Sequence, residues 1–139
     1  MECTVKWFDG MSFVAETGSG HLLAMDGAPE AGGRNLAPRP MELLLAGAGG
    51  FTAFDVVMIL KRGRHDIRGC SVRLEAERAD ADPKVFTRIR FIYTVSGRNL
   101  KRESVERAVH LSADKYCSAS IMLAKTAAIT HEVELVELD

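Results

Sequence analysis

Residues 41–60, MELLLAGAGGFTAFDVVMIL, form a nearly unbroken apolar run in which Glu42 and Asp55 are the only charges. A run of about twenty apolar residues has the reach to cross a bilayer. Three glycines, a threonine and two carboxylates argue against that reading, because a charge at membrane depth costs several kcal/mol. The alternative is a helix apolar all round, which has to be covered on every side. In a chain of 139 residues, sharing that helix between two subunits is one way to cover it. A long buried central helix is the first expectation, and it would make a floor for an apolar site.

The rest of the composition narrows the class. The length fits a single domain over 1–139, and a 47% hydrophobic with a 27% charged share is ordinary for a folded soluble protein. A net charge of −1 supplies no field toward nucleic acid, and no membrane partner is expected. MECTVKWFDG lacks a basic segment followed by an apolar one, so no signal peptide is read and the cytoplasm is the expected location. Cys3, Cys70 and Cys117 are odd in number and lack CxxC spacing, while the histidines at 21, 65, 110 and 131 lack HExxH. Neither a disulfide scaffold nor a metal site is expected, and no cofactor.

Along the chain, CTVKWF, SFVAET and HLLAM read as three short strands, punctuated by Asp9-Gly10 and by Gly18-Ser19-Gly20. Trp7 and Phe8 are expected to pack those strands. Residues 26–40 form a proline- and glycine-bearing loop, long enough to suggest a functional or subunit-crossing role. The helix begins near Pro40, which suits a first turn, and ends around Arg62–His65, where cations meet the negative end of the dipole. A hairpin follows, with strands Cys70–Ala79 and Val85–Val95. Asn99–Lys115 reads as an amphipathic helix, residues 118–127 as a shorter one, and HEVELVEL as a closing strand. The order βββ-α-ββ-α-α-β segregates strands from helices, so the fold class is α+β.

Cys117 falls at the start of the shorter helix, where unpaired N–H groups and the positive dipole end favour a thiolate. A small buried hydrophobe is the competing account. Pro40-MELLLAGAGG, the following TAFDVVMIL and later Lys115-Tyr-Cys-Ser-Ala-Ser together resemble the OsmC/Ohr family, nearest its YhfA-like branch. The resemblance covers nearly the whole chain. It implies an intertwined homodimer with the long helices buried between subunits, and a cysteine peroxidase acting on organic hydroperoxides.

In the family mechanism a cysteine on the buried helix attacks the peroxide and becomes a sulfenic acid. A second cysteine resolves it as a disulfide. Cys117 falls on the resolving position. Phe51 falls on the attacking position, eleven residues after Pro40 and four before Asp55, and carries no nucleophile. The family's arginine finds two counterparts, Arg34 and Arg39, each of which also reads as a solvated loop residue. Met41 occupies the family's acidic position with Glu42 one place on, and Glu42 also reads as a first-turn cap.

Asp55 lies one turn beyond Phe51, which predicts a shared face. It is expected either to pair with an arginine or backbone group, or to line a pocket. Tyr116 flanks Cys117 as a pocket residue, Ser118 reads as the helix N-cap, and Gly47, Gly49 and Gly50 as sites of close helix–helix approach. Two functions stay open. One is altered chemistry in which Cys117 alone meets the peroxide and an external thiol recycles it. The other is a non-catalytic pocket at the dimer interface for a small apolar or lipid-like ligand.

Overall fold

Three strands, β1 (Cys3–Asp9), β2 (Ser12–Thr17) and β3 (Leu22–Asp26), form an antiparallel meander in the computed structural model, which describes residues 1–139. The β1–β2 turn places Gly10 at φ 54°, a conformation open to glycine without steric cost. Asp26 then organises the long loop. Its buried carboxylate accepts the N–H groups of Gly27, Arg34 and Leu36, and Gly33 passes so close to the Gly27 carbonyl that a Cβ there would overlap it. Burial works against the charge, but those N–H groups outweigh it and hold the Asp26 pKa below the usual value. Trp7 and Phe8 do not pack as expected: they stand largely exposed, and the Trp7 indole donates to the Gly10 carbonyl.

The long helix α1 runs Pro40–Arg62, starting where the proline predicts. Contacts divide the chain into two compact units, Met1–Ala46 and Gly47–Asp139, with the boundary inside α1. In the second unit a sheet of order β4-β5-β6 joins β4 (Asp66–Arg78) antiparallel to β5 (Phe86–Arg98), and β5 parallel to β6 (Ala128–Glu137). A parallel pair requires a crossover, here supplied by α2 (Arg102–Leu111), a π-helical turn (Ser112–Tyr116) and α3 (Ser118–Leu123). The α+β order read from the sequence is the observed one.

Several boundaries differ. The hairpin extends back to Asp66 because Asp66 pairs with Arg98 and Ile67 with Gly97, pairings masked by the glycines at 69 and 97. The helix expected over 99–115 begins at Arg102, since Asn99 has φ 55° and donates its N–H to the Glu137 carboxylate. It gives way to the π turn at Ser112. The last helix stops at Leu123 rather than 127.

The core of this unit is the central strand. Ile89, Phe91, Tyr93 and Val95 recur with period two on one face of β5 and are all fully buried. Each such burial stabilises by about 1.5–3 kcal/mol. On the solvent side Arg90 bridges Glu75 and Glu132 at 2.7 Å each, tying all three strands.

The helix α1 is not covered all round by its own chain. Ala48, Gly49, Thr52, Asp55, Val56 and Leu60 are buried, whereas Phe51 is 40% and Phe54 65% exposed. The expected helix–helix approach at the glycines is not found within the chain. Gly49 approaches Leu74 of β4, a strand rather than a helix, while Gly47 and Gly50 border open space.

Candidate functional site

The resolving-position cysteine is built into the start of α3. The π turn closes with the Cys117 N–H on the Ser112 carbonyl at 2.7 Å, a wide turn of the kind found at functional sites. Cys117, not Ser118, is the N-cap: its extended backbone (φ −80°, ψ 91°) lets Sγ accept the Ser120 N–H at 3.4 Å. A sulfur can fill the acceptor role usually given to Ser, Thr, Asp or Asn, so the more familiar Ser118 attracted the sequence assignment. The thiol also points at the Ala48 carbonyl of α1, 4.0 Å away, and is 0% exposed.

Phe51 lies three residues beyond Ala48, about 4.5 Å along the helix axis. The helix that touches Cys117 therefore carries the ring a turn further on, but the thiol is sealed and the ring is open to solvent. Asp55 does not share that openness. It is 3% exposed and accepts the Ser112 hydroxyl at 2.9 Å. The expectation of an arginine or backbone partner is corrected to a serine, and Asp55 groups with Thr52 on the buried side of α1 rather than with Phe51. Tyr116 is exposed, with the Lys115 ammonium 5.3 Å over its ring.

The remaining sequence-selected residues belong to the first unit. Glu42 accepts the Arg39 N–H at 2.9 Å, the cap geometry that explains it without chemistry. Arg39 itself precedes the first turn, its carbonyl accepting the Leu43 N–H, and its exposed side chain makes no ion pair. Arg34 pairs with Asp9 at 3.4 Å, half in solvent. Met41 is half-buried at the helix start.

Sequence reading missed a buried polar chain. Thr52 Oγ lies 2.8 Å from Tyr93 Oη and 2.8 Å from Ser112 Oγ, while Tyr93 Oη lies 3.2 Å from His131 Nδ1. With Asp55, five side chains from α1, β5, the π turn and β6 are joined. Burial pushes the Tyr93 hydroxyl up to about 12, with the Thr52 bond opposing. Burial also lowers the His131 pKa, against the pull of Asp114. The signal available in sequence was Thr52 three residues before Asp55, two polar groups stacked on one side of an apolar helix.

Outside this chain, the bare side of α1 borders a groove of about 530 Å³ floored by Gly50, Phe54, Val57 and Met58, with Lys61 and Arg62 at its end. That volume lies in the range of small-molecule sites. Cys70 also lines it, and burial raises its thiol pKa. No group of three His, Cys, Asp or Glu side chains is clustered closely enough to hold a metal ion.

A meander, a long helix bearing residue 51, and a capping cysteine reached through a helical crossover define an α+β protein of the OsmC/Ohr architecture. A family model described as OsmC-like protein matches residues 32–132, and the chain belongs to that family. It is similar to Protein YhfA of Escherichia coli strain K12, 48% identical over 136 residues that cover 98% of each chain. Among solved structures it is similar to a hypothetical protein from Aquifex aeolicus VF5, with TM-score 0.87 and 25% identity over 99% of this chain and 97% of that one. It shares its fold with an organic hydroperoxide resistance protein OsmC from Legionella pneumophila, with TM-score 0.70 and 18% identity over 96% and 97%. The resemblance read from the two sequence motifs holds.

Proposed function

We propose that this OsmC-like chain has left the two-cysteine peroxidase cycle of its hydroperoxide-related family. In its place we propose a binding site for a small apolar ligand within an intertwined, cytoplasmic homodimer. The observation that carries the reading is the pairing of a benzyl ring at residue 51 with a fully buried cap at Cys117. The first has no lone pair to attack a peroxide, and the second has no surface for a peroxide to reach. One-cysteine chemistry at Cys117 with an external thiol would have to expose the sulfur first.

The exposed rings of Phe51 and Phe54, and the apolar groove beside them, support both the second subunit and the ligand. Neighbouring exposed rings on an otherwise apolar helix favour a cover. The deciding assay follows cumene hydroperoxide consumption with dithiothreitol for the native protein beside Phe51→Cys. The native protein is expected at the uncatalysed rate, and the variant roughly tenfold or more above it as a thiolate nucleophile returns. Native turnover that disappears in Cys117→Ser would overturn the proposal and establish one-cysteine chemistry.

A further inference from the structure

Four hydrogen bonds link His131, Tyr93, Thr52, Ser112 and Asp55 in series. Each bond needs one hydrogen, but the three hydroxyls of Tyr93, Thr52 and Ser112 supply three. The fourth must come from an end of the chain. Asp55 as a carboxylate can only accept, which orients Ser112 toward Asp55, Thr52 toward Ser112 and Tyr93 toward Thr52. That leaves the Tyr93 oxygen to accept from His131. We propose that His131 is held as its Nδ1–H tautomer, presenting a proton-free Nε2 to a surface cleft, where it accepts a hydrogen from a donor ligand and forms the entry of a proton path to Asp55.

The cleft, about 240 Å³, is lined by His131, His110, Asp114 and Ser120 with Ile129 and Ala124. The charged and titratable groups around His131 are Asp114 from the π turn and His110 from α2, which share this cleft and act on its charge, Glu106 of α2, which lines the adjoining cleft, and Tyr93 of β5, bonded to Nδ1. Phe91, 5.1 Å between ring centroids, helps fix the imidazole plane. A nitrogen whose partner nitrogen is committed to a fixed bond has its own protonation decided by that bond. Here the commitment runs through three hydroxyls to a buried carboxylate. When a proton binds Nε2, Nδ1 releases its hydrogen to Tyr93 Oη, Tyr93 to Thr52, Thr52 to Ser112 and Ser112 to Asp55. One N–H bond and three O–H bonds break, one N–H and four O–H bonds form, one carboxylate is neutralised and no electron moves.

The assignment stands whether or not the groove on α1 binds a ligand, and it has a direct test. Two-bond proton–nitrogen NMR of labelled protein near neutral pH, with His131 assigned by loss of its signals in His131→Gln, reads the tautomer. The native protein is expected to show a protonated Nδ1 and a bare Nε2. Asp55→Asn places an N–H donor at the far end, supplies the missing hydrogen, and is expected to move His131 to the Nε2–H form. If that variant unfolds, Ser112→Ala cuts the chain and predicts the same shift. An Nε2–H native protein, or a tautomer indifferent to both variants, overturns the proposal. For the proton path, the infrared carboxyl band of Asp55 is expected to appear together with the switch of His131 from its Nδ1–H to its Nε2–H form, and the two events to separate in Tyr93→Phe. A carboxyl band that appears in the native protein without that switch would remove the path.

Discussion

The two sides of α1 differ in what each leaves unmet. Toward its own sheet the helix turns Thr52 and Asp55, each hydrogen-bonded to a side chain from another element, among the apolar Ala48, Val56 and Leu60. Toward solvent it turns Phe51 and Phe54. A surface helix ordinarily keeps rings of that size off its wet side. A buried polar group is tolerated when it is satisfied, so the inner side is complete as it stands. The outer side leaves its rings in water, where they gain nothing. The difference separates a side whose polar groups are satisfied within the chain from one whose apolar groups are not, and the proposed dimer would cover the second.

The largest effect should come from spoiling the outer side. Phe54→Asp is expected to convert the proposed dimer to monomer by light scattering while leaving the monomer folded. A native protein that is already monomeric would break the comparison at once. Next comes the inner side: Asp55→Ala strips the acceptor from Ser112 and leaves a buried hydroxyl without its partner. Chemical denaturation should show a loss of about 1–3 kcal/mol. A loss within experimental scatter would mean the chain is ornamental.

The two glycines sharpen the contrast at smaller scale. Gly50→Ala should raise stability by up to about 1 kcal/mol, since alanine favours helix and nothing lies within 4 Å of the new methyl. Gly49→Ala should gain less, because Leu74 Cδ1 would stand 2.7 Å from the added carbon and must rotate away. Equal gains would place Leu74 elsewhere.

The effects of pH lie outside the neutral range, where the native protein shows none of them. The folded state raises the Tyr93 pKa from 10.0 to about 12, so its contribution is complete below pH 10.0 and is lost as pH rises through about 12. For His131 the folded pKa lies below 6.5, so its contribution is complete above pH 6.5 and declines as pH falls through the folded value. Stability measured against pH should therefore fall less steeply on the alkaline side in Tyr93→Phe, where the raised Cys70 thiol still contributes, and less steeply on the acidic side in His131→Gln, where Asp26 still contributes.

Legibility in the sequence followed distance along the chain. The start of α1 at Pro40, the β4–β5 hairpin and the Glu42 cap depend on neighbours a few residues apart, and each was readable. A carboxylate in so apolar a helix shows that Asp55 needs a partner, but its serine lies 57 residues away, and Tyr93 lies 41 residues from Thr52. No periodicity records such meetings. Cys117 was correctly placed at a helix start, yet its identity as the cap depended on an extended backbone created by the π turn ahead of it.

Residue order alone determined the succession of strands and helices, the apolar character of α1 and the absence of a nucleophile at residue 51, because these reside in local pattern and side-chain chemistry. Tertiary structure decided which side of α1 is wet, which hydroxyls meet Asp55, and that Cys117 is sealed. Those outcomes depend on how the sheet and the helical crossover close around the helix, and burial and hydrogen bonding become definite only once distant segments share the same space.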